Sequence, residues 1–304
     1  MSHPPPSRGK PLLPLLIVGA LLWAAAGTGI VSTNTLGAGE RFDHLVDRVR
    51  LALDPPPDRE TLPTIEVTDP PLETASPAPD GESGSASPTP RPPRRPVDVK
   101  LRANPGRVFA SQLTNEWCAV AGTQIVLAMH GAVDNTDEAQ RRLARDIDRW
   151  ESWKDSHNGG WGPAAIAEAL ADHGITGYEI RSYRRRDLAL RDTAIALSRT
   201  RAPVVLIAWR GAHTWIMTGY RADADPTVFR DATITGTYIY DPWYPRVSTI
   251  WGPSDGPGVF QDDAEMERNY LRWDRPEGEY LERDGKYIAV VPTTPLRDQT
   301  AGQG

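Results

Sequence analysis

Apolar positions divide the chain into four regimes. Residues 11–31 carry no charge and run from Pro11-Leu12-Leu13 through Leu21-Leu22-Trp23 to Ile30-Val31. That length meets the roughly 20 apolar residues needed to cross a hydrocarbon layer, so it predicts a single-pass transmembrane anchor. Arg8 and Lys10 precede it, which predicts a cytoplasmic tail over 1–10 and an extracytoplasmic remainder. The competing expectation is a cleaved signal peptide, with Ala24-Ala25-Ala26 as the small-residue site. Phe42, Leu45, Val46, Val49 and Leu53 then recur at helical spacing, predicting a juxtamembrane amphipathic helix over 40–53. From 54 to 100 apolar groups are too sparse for a core. Pro55-Pro56-Pro57, Pro70-Pro71 and Pro92-Pro93 punctuate this stretch, which predicts a Pro-rich disordered linker.

From Leu101 the pattern becomes that of a globular domain, expected over 101–292, with a flexible tail over 293–304. Ile125, Val126, Leu127 and Met129 predict a helix to His130, stopped by Gly131. Leu143, Ile147 and Trp150 predict a second helix over 137–153, starting at Thr136 and Asp137. Pro163 opens a third, 164–173, and Gly174 ends it. Asp187 is the expected cap of a fourth, 188–199. Strand patterns follow at 178–183, 204–209, 213–220, 233–240, 247–251 and 286–292, with a last helix over 262–273. Helices first and sheet afterwards predict an α+β fold, not a doubly wound one.

Charge narrows the function. The net charge is −6, and no basic footprint for nucleic acid is present. Cys118 is the only cysteine, so an internal disulfide is excluded and the thiol is either reactive or paired between chains. It stands where a helix starts, and the unpaired N–H groups there favour a thiolate, the nucleophilic form. A nucleophile needs a base, and a base needs an orienting group. His213 opens a strand pattern, and Asp241 ends another, pinned by Pro242. Gln112, six residues before Cys118, carries an amide suited to an oxyanion. Trp117, Trp161, Trp215 and Trp243 flank these elements as candidate walls of a substrate cleft. The acidic pairs Asp223/Asp225 and Asp262/Asp263 lack calcium-loop spacing. No metal and no cofactor are expected, and the oligomeric state is left open.

Gln112, Cys118, the run His213-Thr214-Trp215-Ile216-Met217-Thr218-Gly219-Tyr220 and Asp241-Pro242 together resemble the papain-fold cysteine peptidases. The resemblance is nearest to the bacterial bacteriocin-processing, double-glycine leader peptidases, family 39 of the cysteine class, and covers about residues 105–292. It implies a papain-like fold, with N-terminal helices packed on a mostly antiparallel sheet. It also implies a Cys118-His213-Asp241 triad, and an oxyanion hole of Gln112 with the Cys118 N–H. The expected activity is peptide-bond cleavage by a membrane-anchored enzyme acting on a peptide or protein. Two alternatives stay open. One is a cell-wall amidase or transglutaminase-like acyl transferase. The other is an inactive binding or scaffold module, suggested by Ala119 where that branch carries glycine.

Overall fold

An eight-stranded sheet carries the candidate site. The structure is a computed structural model that describes residues 56–68, 92–156, 161–274 and 278–296. The strands, in chain order, are β1 (Thr64–Val67), β2 (Val97–Lys100), β3 (Tyr178–Tyr183), β4 (Val204–Ala208), β5 (His213–Ala222), β6 (Ile234–Tyr240), β7 (Val247–Ser248), β8 (Gly252–Pro253), β9 (Val259–Asp262) and β10 (Tyr287–Pro292). The helices are α1 (Pro105–Val108), α2 (Cys118–Met129), α3 (Asp137–Arg145), α4 (Pro163–Asp172), α5 (Arg186–Thr200) and α6 (Asp263–Asn269). The main sheet runs β1-β3-β10-β4-β5-β6-β9, and β2 adds to β5 beyond the end of β4. The β1–β3 pair is parallel and the other pairs are antiparallel. The α+β class is therefore as expected.

Period-two alternation on the central strands gives the sheet two buried faces. Val205, Ile207, Ile216, Ile288 and Val290 point to one face, where α2 and α4 bury Ile125, Ile166 and Leu170. Val204, Leu206, Met217, Ala289 and Val291 point to the other, where α5 buries Leu190, Ala194 and Leu197. Thr136 caps α3, its hydroxyl accepting the Ala139 N–H.

Several expectations are corrected. The stretch 54–100 is not wholly a linker: β1 and β2 lie within it and pair with β3 and β5. The β2 pairing depends on Gly219, where a Cβ would sit 2.3 Å from the Val99 carbonyl oxygen. The helix expected over 137–153 stops at Arg145 and gives way to a single tight turn, Ile147–Arg149. Asp187 lies inside the first turn of α5 and does not cap it. The strand expected over 247–251 is the short β7–β8 hairpin. The tail begins folded: Thr293 and Thr294 bond to Gly177 and Thr176, and the Leu296 N–H to Thr200. Residues 69–91 and 297–304 lie outside the described residues.

The membrane placement is also corrected. Among the described residues no helix is long and apolar enough to cross a membrane. The tail 1–10, the run 11–31 and the helix expected over 40–53 all lie outside the described residues.

One buried ion pair ties the N-terminal strand to the helical layer. The Arg283 side chain is 1% exposed and donates to the Asp155 carboxylate at 2.9 Å. It donates also to the Asp155 carbonyl at 2.8 Å and to the Thr64 hydroxyl of β1 at 3.1 Å. The two Asp155 carboxylate oxygens accept the Ala164 and Ala165 N–H groups at the start of α4.

Candidate active site

Helix α2 begins at Cys118, so the Cys118 N–H has no partner inside the helix. Close packing sets where that end points. A Cβ at Gly122, one turn on, would lie 2.7 Å from Thr214 Cγ2 of β5, so only glycine lets helix and strand approach this closely. The helix start that carries Cys118 is thereby held beside the strand that His213 opens. The Cys118 Sγ is 3.8 Å from the carbonyl oxygen of Ala212, the residue before His213.

His213 is positioned by an unusual turn. Trp209, Arg210 and Gly211 all have positive φ, at 50°, 61° and 96°. Left-handed backbone is costly for Trp and Arg, and such strain concentrates where function over-determines geometry. Its result is a stack: the Trp209 indole lies 3.9 Å from the imidazole, centroid to centroid, at 19°. The Trp209 Nε1–H donates to Asn269 Oδ1 of α6 at 2.9 Å, which fixes the indole. An indole face attracts a cation by about 1–2 kcal/mol when desolvated, so this stack favours imidazolium.

Pairing of Ile216 with Tyr240 brings the end of β6 to the start of β5. Asp241 follows there, and its Oδ1 lies 2.7 Å from His213 Nε2. A carboxylate accepts, so Nε2 carries the proton and Nδ1 is left for Cys118. The same Oδ1 accepts the Trp243 N–H at 2.8 Å, which locks the carboxylate. The His213 and Asp241 side chains are 1% and 7% exposed.

Burial alone would lower the His213 pKa. The Asp241 charge and hydrogen bond, then the hydrogen bond and charge of Cys118, outweigh it and raise the ring to about 9. Folding is linked to pH with a definite sign. The stabilisation is complete below the unfolded value of 6.5 and is lost as pH rises through about 9. His213→Gln should therefore cost most stability near pH 6 and progressively less toward pH 10, read as the difference in urea midpoints. A difference that stays constant with pH contradicts the raised value.

Gln112 does not present the expected oxyanion donor. Its Nε2 donates to the Thr114 and Asn115 carbonyls at 2.8 and 3.0 Å, which uses both amide protons. Its Oε1 is buried and unpartnered, and its backbone N–H donates to Pro242. Gln112 clamps the loop that precedes Cys118. The free N–H at the start of α2 is the oxyanion donor this geometry offers.

The four tryptophans separate. Trp243 meets the His213 ring edge-on at 6.4 Å and so borders the dyad. Trp117 is half-buried at the cap of α2. Trp161 packs on Trp150 at 5.1 Å inside the helical layer, which corrects its assignment to a cleft. Trp215 is buried in the core of the opposite face. With Trp209, Trp251, Asp241, Asp255 and Glu265 it also lines a small cleft, and Cys118 forms no part of that wall. Trp209 and Trp251, stacked at 5.6 Å, escaped sequence reasoning. The available signal was an aromatic residue four positions before His213, across an Arg-Gly turn. No protein-family model, curated protein or solved structure matches this chain.

Proposed function

We propose that this chain is a cysteine peptidase of papain-like fold, cleaving peptide bonds by acyl transfer. The observation that carries the reading is the buried His213–Asp241 pair with the half-buried Cys118 thiol beside it, Asp241 holding Nε2 so that Nδ1 is left for the thiol. The Cys118 thiolate attacks the scissile carbonyl carbon, and the negative charge moves to oxygen beside the Cys118 N–H. One such donor lowers a barrier by about 3 kcal/mol. The imidazolium Nδ1 gives its proton to the leaving nitrogen as the C–N bond breaks. Water then attacks the thioester, passing a proton to His213, and the acid product leaves as the Cys118–His213 ion pair reforms. Asp241 and the Trp209 stack hold the imidazolium in one orientation throughout.

Cys118→Ala should lower turnover of a peptide library by about 10³-fold or more with an unchanged unfolding midpoint, assayed on the full chain by mass spectrometry. Turnover that survives the substitution refutes the reading. One observation favours the inactive binding module instead: the Gln112 amide protons are already taken. Wild-type protein that binds peptides without cleaving them would decide for that module. Purified peptidoglycan digested in parallel separates an amidase from a peptidase.

A further inference from the structure

Arg246 follows the Asp241 loop and reaches across to the loop that carries the nucleophile. Its Nη1 donates to Asn115 Oδ1 at 3.2 Å, and its Nη2 to the Leu113 carbonyl at 3.1 Å. The guanidinium lies 5.5 Å from the centroid of Trp243, whose ring borders His213. Asn115 is three residues from Cys118. The cation therefore stands between the loop of the orienting acid and the loop of the nucleophile.

Both of its protein partners are neutral acceptors. Several other arginines face carboxylates, as Arg94 faces Asp223, Arg181 faces Asp192, Arg221 faces Asp98 and Arg283 faces Asp155. Arg246 is half-buried, and among the described residues no carboxylate forms an ion pair with it. Burial pulls its pKa below the ordinary arginine range with no charge opposing the shift. A partly desolvated cation without a counter-charge is costly, and that cost is relieved when an anion arrives. A guanidinium has five N–H donors in a fixed fork, and two bonds to the protein leave the others for an external acceptor.

We propose that Arg246 selects substrates carrying a carboxylate group close to the scissile bond. This rests on the acyl-transfer reading above, because it assigns the substrate class of that same site. The alternative is that Arg246 only positions the two loops, and the test separates these roles.

Cys118 in the full chain is alkylated near neutral pH and low salt with iodoacetate, an anion, and with iodoacetamide, its neutral counterpart. The ratio of the two rate constants is compared among wild type, Arg246→Gln and Arg246→Lys. Loss of one charge near the thiol is expected to change the ratio by roughly three- to five-fold, and salt screens it. The expected result is a fall of that size in Arg246→Gln, with the wild-type ratio kept in Arg246→Lys. An unchanged ratio in Arg246→Gln, or equal losses in both variants, overturns the proposal while the nucleophile assignment stands. Wild-type Cys118 that reacts with neither reagent overturns the nucleophile assignment and the proposal with it.

The source of the carboxylate is read by protection of Cys118 against iodoacetamide. Protection by N-acetylglutamate amide assigns an acidic side chain, and protection by N-acetylalanine assigns a chain terminus. Protection by neither overturns the proposal.

Discussion

Replacing His213 by alanine will slow alkylation of Cys118 near pH 6 by about two orders of magnitude. An isolated thiol titrates near pH 8.5, so only about 0.3% of it is thiolate near pH 6. In the wild type the imidazole is raised to about 9 and stays protonated there, able to donate from Nδ1 to a thiolate. Asp241 and the stacked Trp209 both favour that charge, and both act through His213. Removing the ring therefore removes the whole arrangement, whatever the substrate turns out to be. The measurement is the rate of mass addition at Cys118 from about pH 5 to pH 9, with iodoacetamide as the reagent. Identical pH profiles in wild type and variant would eliminate the ion pair and, with it, the proposed chemistry.

Asp155→Ala will lower stability by about 3–5 kcal/mol, the range for breaking a buried ion pair from one side. The substitution leaves Arg283, 1% exposed, without its carboxylate, and it strips the first N–H groups of α4 of their acceptor. Double substitution of Asp155 and Arg283 by apolar residues should recover much of the loss, because the stranded charge is then absent. Urea unfolding reads both as a shift in midpoint at unchanged slope. A loss below about 1 kcal/mol would place the pair among weakly coupled surface contacts.

The residues of the proposed triad were legible because each lies where an element begins or ends. Cys118 starts a helix, His213 starts a strand, and Asp241 ends one before a proline. Period-two and period-3.6 patterns mark such boundaries well, and the α+β class follows from their order. The strands hidden in the Pro-rich stretch were not legible. β1 and β2 have four residues each, too few to display a period. What orders them is the edges of β3 and β5, which come much later in the chain. Gln112 shows another limit. Its spacing from Cys118 identifies a donor near the nucleophile but not which acceptors claim that donor, and here the loop's own carbonyls do. Trp209 and Arg246 sit in turns, where no periodicity reports direction, and only the folded backbone aims them at the site.

The place of β10 has a consequence for how the molecule is made. This late strand lies between β3 and β4, in the interior of the sheet. A ribosome delivers β3, α5, β4, β5 and β6 long before it. Until Tyr287–Pro292 emerges, β3 and β4 lack the strand that joins them, and open edges of that kind invite pairing with other chains. His213 and Asp241 belong to the β4 side, while the β3 surface on which α4 packs belongs to the other. Final assembly is therefore an insertion of the newest segment between two older ones. Cys118 lies with His213 and Asp241, because α2 packs on β5, so the late strand completes the sheet around these three residues and does not bring them together.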